Sequence, residues 1–237
     1  MRRFVVAIAC LVPVHRVALG QTLAAPYQVT WRDAASVTAA GALFFVPRAL
    51  GLPRGAPSCV PCDPATLSAV DRWAVGPASG TAGTVSTVLL AGVAGFAGFA
   101  GLREVPAAQA RGNAAVLASA VTWTAASTEW LKVLVRRERP VLYTGAAAAA
   151  VSDPESQQSF PSGHVSIAFA AATAYHVMAR RQDLPHGSRN TLLLYGGAVG
   201  VGVLRVVAGR HFPTDVAAGA LLGSAIGWLV ATVHPTR

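Results

Sequence analysis

Charge is scarce in this sequence. Of 237 residues only 12% are charged, ten are acidic, and among the nineteen basic residues Lys132 is the single lysine. With 53% hydrophobic residues and a mean hydropathy of +0.49, this composition excludes intrinsic disorder and an ordinary soluble domain. The formal net charge of +9 does not imply a nucleic-acid partner, because the basic residues stand singly between apolar runs, with no long basic stretch and no interleaved aromatics. Basic inner loops of a membrane protein account for it. Cysteine is nearly absent too, with Cys10, Cys59 and Cys62 the only three. No second CxxC and no paired histidines complete a zinc site, and no βαβ pattern marks a thioredoxin-like pair, so no metal and no cofactor is expected. In an exported loop, Cys59 and Cys62 read most simply as a small structural disulfide.

What the sequence does have is apolar length. Runs at about 82–102, 113–133, 164–179, 191–208 and 214–233 are long enough, or nearly so, to cross a bilayer. A shorter run, 34–46, is closed off by Pro47 and Arg48. The fold class expected is therefore all-α, a multispan membrane bundle of about five to six helices. Three parts are expected: a signal peptide over 1–20, a short helix with the CxxC loop over 21–81, and a helical core over 82–237. Loops 103–112 and 179–190 carry Arg103, Arg111, Arg180, Arg181 and Arg189, which assigns them to the cytoplasmic side. Segments 52–81, 134–163 and 209–213 then fall outside. A cleaved signal followed by a crossing 34–46 segment would invert this order, so 34–46 is expected to lie along the membrane or enter it only partly.

Polar residues gather at three places, all on the external side. Lys132 and Arg139 stand seven apart, about two helical turns, so both can grip one dianion. In Pro161-Ser162-Gly163-His164, proline suits a first helical turn, and the amides of Ser162 to His164 would face an anion from a helix N-terminus. Arg205 ends the next span and precedes His211 and Asp215. An aspartate four residues after His211 would orient its imidazole, leaving the other nitrogen free to attack phosphorus, while His164 protonates the leaving oxygen. Gly219, Gly223 and Gly227 continue the row of Asp215 and mark the inner face of the last helix. Glu129 is expected to pair with a cation inside the bundle. Arg136, Arg137 and Arg210 read as interfacial anchors, and His176 and His186 as structural or solvent-facing.

These motifs, Lys132 with Arg139-Pro140, Pro161-Ser162-Gly163-His164, and Arg205 with His211 and Asp215, resemble the type 2 phosphatidic acid phosphatase superfamily over roughly residues 82–233. That group holds membrane lipid phosphatases, soluble acid phosphatases and vanadium haloperoxidases. The resemblance implies a phosphatase with His211 as nucleophile, Asp215 as its partner and His164 as general acid. Lys132, Arg139, Ser162, Gly163 and Arg205 would bind the phosphate. It implies a lipid phosphate substrate, a bilayer partner and no nucleic acid, at the outer face of a bacterial inner membrane. No sequence feature sets an oligomeric state. One departure stands out: Leu204 occupies the place where the family usually has serine, which removes one supporting hydrogen bond of the family pattern but none of the catalytic set. A haloperoxidase-like enzyme and a non-catalytic transport or scaffold protein are the alternatives.

The lone lysine gives the first test. Lys132→Arg keeps the charge but replaces a compact ammonium with a planar fork, and phosphatase activity is expected to be lost. A rate unchanged from wild type would make the lysine's uniqueness an accident of composition.

Overall fold

The computed structural model describes residues 27–103 and 105–236. They form six long helices and two single-turn ones. In chain order these are α1 (Trp31–Ala49), α2 (Ala69–Arg72), α3 (Gly80–Leu102), α4 (Ala107–Val135), α5 (Ala147–Ala150), α6 (Gly163–Gln182), α7 (Gly187–Val207) and α8 (Pro213–Val233). The signal peptide expected over 1–20, with Cys10, lies outside the described residues.

Local chemistry sets the helix ends. Thr30 and Asp33 close a capping box at the start of α1, and the Ser79 hydroxyl accepts from the Ala82 amide at the start of α3. Pro213 takes the first position of α8, where a missing N–H costs nothing. The chains leaving α4 and α6 turn at Arg136 (φ 51) and Asp183 (φ 48), left-handed residues at helix C-termini.

The alanine-rich helix α6 is the centre of the bundle, packed against α3, α4, α7 and α8. Its core includes Ala168, Ala171, Tyr175 and Met178, with Val116 and Ala120 of α4 and Val201 of α7. Among the described residues three helices, α3, α7 and α8, qualify by length and apolarity to cross a membrane, fewer than the five runs expected. The difference has a physical cause. Helices α4 and α6 are shielded by their neighbours and carry buried polar residues such as Asn113, Glu129, Lys132 and Gln182. At the end of the bundle away from α8's start, polar side chains clamp the helices together: Gln182 donates to Asn113 (2.9 Å), Asn113 to the Gly101 carbonyl (2.7 Å), and Asn190 to Tyr175 (2.9 Å).

Helix α1 departs from expectation. It continues through Pro47 and runs parallel to α4, because Trp123 donates to Ser36 (2.9 Å) and Trp130 to the Leu43 carbonyl (3.0 Å), each pair 87 residues apart. Pro47 cannot supply the amide that would bond Leu43, its i−4 carbonyl. The Trp130 indole takes that place, so the proline does not end the helix. Nineteen residues span about 28 Å. The start of α1 is fixed at the polar-clamp end, where Tyr27 donates to Ala231 O (3.0 Å) and Gln28 to Pro235 O (2.9 Å).

Helices α6 and α8 pack closest. The buried residues of α8 are Asp215, Gly219, Gly223, Gly227 and Ala231, one row at four-residue spacing. A Cβ at Gly219 would stand 2.7 Å from Ser162 O, one at Gly227 2.5 Å from Ala170 O, and one at Gly223 nearer still to Ser166 O. By contrast Gly92, Gly95 and Gly98 of α3 face open space. Gly223→Ala is therefore expected to destabilise the bundle by about 1–3 kcal/mol through overpacking, seen as a lower Tm in detergent. Gly92→Ala should leave Tm unchanged or higher; equal behaviour of the two variants would contradict the packing account.

Candidate active site

The three polar clusters meet at one end of the bundle, around a cavity of about 540 Å³ whose lining includes Arg139, His164, Arg205, Glu155 and Arg210. The route each residue takes there differs in several places from the sequence expectation.

Lys132 is buried in the last turn of α4, its Nζ 2.7 Å from Glu129 Oε1 and close to where a side chain on Gly163 would begin. Glu129 also faces Arg48 of α1 at 3.6 Å, so it does pair with cations inside the bundle. Arg139 does not share a helical face with Lys132. The helix has ended by then, and after the left-handed turn at Arg136 non-helical chain carries Arg139 in, its amide donating to Ser156 O (2.8 Å).

The start of α6 sits against α8. The Ser162 amide donates to the Asp215 carbonyl (3.1 Å), so it is engaged by protein instead of facing an anion. The Ser162 hydroxyl is buried and meets no protein partner. His164 is the second residue of the helix, its Nε2 3.1 Å from Thr87 Oγ1 of α3, a contact that no motif in the sequence announces. Arg205 is held by Ser86 of α3 (3.4 Å).

His211 is 2% exposed and lies just outside the cavity lining. Its Nδ1 is 2.7 Å from the Ser159 carbonyl, whereas Asp215 Oδ2 is 3.9 Å away. The expected direct Asp215 contact is therefore replaced by a backbone acceptor. His211 precedes the N-terminus of α8, so the i, i+4 rule of a helical face does not reach it. A carbonyl only accepts, which puts the ring proton on Nδ1 and leaves Nε2 with its lone pair. Burial, then the charges of Arg139, Arg205 and Lys132, hold the His211 imidazole well below its ordinary pKa.

Asp215 itself is fully buried and accepts from Ser159 Oγ (2.6 Å), the Phe212 amide (2.8 Å) and Arg137. Arg137 is thus no interfacial anchor. It bridges Asp215 and Asp71 (2.8 Å) and stacks over Phe212 at 4.4 Å. Burial opposes its charge, but Asp215 and Asp71 outweigh that and hold the guanidinium above its ordinary pKa. Arg210, expected as an anchor, lines the cavity and faces Asp153 at 3.9 Å. His176 and His186 stand away from this end, His176 beside Tyr195 and His186 before the first residue of α7.

The electrostatic character is clear from what is unpaired. Arg139 Nε and Nη1, Arg205 Nε and Ser162 Oγ are buried without a hydrogen-bond partner among the described residues. Buried donors are rarely left so. Arg139 does have one partner, Glu155, whose carboxylate sits 2.8 Å from Nη2 on the cavity wall. Burial favours the neutral acid there, yet Arg139 and Lys132 prevail and keep the Glu155 carboxyl below its usual pKa. The loop over this end is braced by a Cys59–Cys62 disulfide, with the Cys62 amide bonded to Leu142 O (2.8 Å). No cluster of metal-ligating side chains exists among the described residues.

Taken with the apolar helices, this is a membrane-type helical bundle holding a buried cationic cradle and two histidines at one end. The PAP2 superfamily model matches residues 113–237, more than half the chain, and the protein belongs to that superfamily. It is 37% identical over 107 residues to decaprenylphosphoryl-5-phosphoribose phosphatase of Mycobacterium tuberculosis, covering 45% of this chain and 53% of that one. It is 38% identical over 80 residues to the lipid A 1-phosphatase of Porphyromonas gingivalis, covering 32% and 16%. A probable lipid phosphate phosphatase beta of Arabidopsis thaliana is 33% identical over 113 residues, covering 39% and 52%. The chain spans about half the length, or less, of these curated relatives.

Because Glu155 competes for Arg139, its removal should strengthen anion binding. Glu155→Gln is expected to lower the Kd for orthovanadate several-fold in titration calorimetry; weaker binding would mean that the carboxylate helps build the cradle.

Proposed function

We propose that the chain is a membrane phosphatase that cleaves a phosphomonoester or pyrophosphate on a lipid through a phosphohistidine at His211. One observation carries this reading: Arg139 and Arg205, each with an unpaired buried nitrogen, line one cavity with His164 and act electrostatically on the buried His211, and a phosphoryl group offers the acceptor oxygens they need.

The steps follow from the groups present. The phosphate binds in the cradle and displaces Glu155 from Arg139. His211 Nε2 donates its lone pair to phosphorus, the bond from phosphorus to the leaving oxygen breaks, and His164, entering the step as the imidazolium beside the bound phosphate anion, gives that oxygen its proton and becomes neutral. Arg139, Arg205 and Lys132 offset the charge on the transferring group, so the chemistry requires no metal ion. Water then attacks phosphorus, His164 takes its proton, the phosphorus–nitrogen bond breaks, and inorganic phosphate leaves. Asp215 stabilises the positive charge that His211 gains, acting across 3.9 Å and through Ser159, which bonds to both.

Two features support an outward-facing site. Arg103, Arg111, Arg180, Arg181 and Arg189 lie at the opposite end of the bundle, as expected of cytoplasmic loops. The disulfide lies at the site end, in keeping with an oxidising compartment. A lipid substrate fits the apolar helices and the relatives' printed activities, and a bacterial inner membrane fits both.

Purified protein in detergent, assayed on phosphatidic acid, diacylglycerol pyrophosphate, phosphatidylglycerol phosphate, undecaprenyl pyrophosphate, lipid A and decaprenylphosphoryl-5-phosphoribose, is expected to release phosphate from at least one. His211→Ala should lower that rate by about 10³-fold or more. Undiminished release by the variant would contradict the reading.

A further inference from the structure

The geometry points to Asp71, on a loop outside the family's matched region, as a positioning residue that sets the His211–Asp215 pair through Arg137. The inference rests on the phosphatase reading and extends it to a residue that none of the three motifs contains.

Asp71 is 3% exposed, though it belongs to a four-residue helix between two loops. All of its side-chain partners belong to the site end. Its Oδ1 accepts from the Thr214 amide (3.1 Å), and its Oδ2 accepts from Thr214 Oγ1 (2.8 Å) and Arg137 Nη2 (2.8 Å). The Thr214 amide is one of the orphan donors in the first turn of α8, so Asp71 caps that helix from a distant segment. Asp215, the next residue, is gripped by the other nitrogen of the same guanidinium. One planar fork therefore spans two carboxylates, and Asp71 fixes the angle at which Arg137 meets Asp215. From Asp215 the contacts continue through Ser159 Oγ to the Ser159 carbonyl, which holds His211 Nδ1.

The segment carrying Asp71 is built to be rigid. Ser68 Oγ accepts from the Asp71 amide (3.2 Å), and the Arg72 guanidinium ties the carbonyls of Pro64, Ala65 and Leu67 at 3.1, 3.1 and 2.9 Å. Farther along the same loop, Ser58 Oγ donates to Glu138 (2.6 Å) and Gln157 donates to the Gly55 carbonyl (2.7 Å). Burial works against the Asp71 charge, but Arg137 and Thr214 outweigh it and hold the carboxyl below its ordinary pKa. The loop delivers a fixed negative charge to the back of the site, while Arg139, Ser162 and Arg205 at the front do not touch it.

This separation defines the test. Wild type and His211→Ala are first compared on the lipid that wild type hydrolyses; equal rates there would refute the phosphatase reading itself. With that reading in hand, Asp71→Asn keeps the shape and loses the charge. It should lower kcat about ten- to a hundredfold while KM and the orthovanadate Kd stay within about twofold. Asp71→Glu should recover part of kcat. Arg137→Lys, which loses the fork but not the charge, should give a similar kcat loss, and the double variant Asp71→Asn with Arg137→Lys should be no slower than the worse single one. A kcat for Asp71→Asn within about twofold of wild type would overturn the inference. So would losses in kcat, KM and vanadate binding that move together with Tm, since that is the pattern of a merely structural residue.

Discussion

Helices α6 and α8 meet backbone to backbone, with Gly219, Gly223 and Gly227 facing the carbonyls of Ser162, Ser166 and Ala170, and the geometry of the site depends on that approach. Any side chain in the row would push the two helix starts apart. Those starts carry Ser162, Gly163 and His164 on one side and His211 and Asp215 on the other, joined by the Ser162 amide on the Asp215 carbonyl. Close packing of small residues substitutes in lipid for the hydrophobic drive that is missing there. The same contact that holds the bundle together thus sets the distance between the two histidine-bearing segments.

A second constraint is electrostatic. The site end concentrates Lys132, Arg137, Arg139 and Arg205 in low-exposure positions, and like charges so buried repel each other. Each of the first three has a carboxylate to offset it: Glu129 for Lys132, Asp71 and Asp215 for Arg137, Glu155 for Arg139. Among the described residues the Arg205 side chain has no carboxylate and bonds Ser86, and Arg139 keeps two unpaired nitrogens. Arg137 is paired on both sides as part of the scaffold, whereas Arg139 and Arg205 keep buried nitrogens unpaired beside the cavity. That distribution suits the cavity to an anion.

Much of this was legible in the sequence where the relevant spacing lies within one helix. The row Asp215, Gly219, Gly223, Gly227 follows directly from the helical period, and Pro213 marks the start of α8. The gathering of Lys132, Arg139, Ser162, His164, Arg205 and His211 followed from the family motifs. Legibility failed where the chain leaves a helix. Arg139 lies past the left-handed turn at Arg136, and His211 lies before the start of α8, so helical arithmetic gave both the wrong contacts. Thr87, Ser86, Ser159, Arg137 and Asp71 act through space from elements that no local pattern connects. Pro47 fails for a related reason: the tryptophan that satisfies the freed carbonyl is 87 residues away.

The central claim is that Arg139, Arg205 and Ser162 hold a phosphoryl group against the bare Nε2 of His211. A structure of the protein with orthovanadate tests it most directly, because vanadate adopts the five-coordinate geometry of the transferring phosphoryl group. The account predicts vanadium bonded to His211 Nε2, with its oxygens on the nitrogens of Arg139 and Arg205 and on the Ser162 hydroxyl, and with Glu155 turned away from Arg139. Vanadate bound at the cavity mouth, with His211 uncoordinated and the Arg139–Glu155 pair intact, would contradict it.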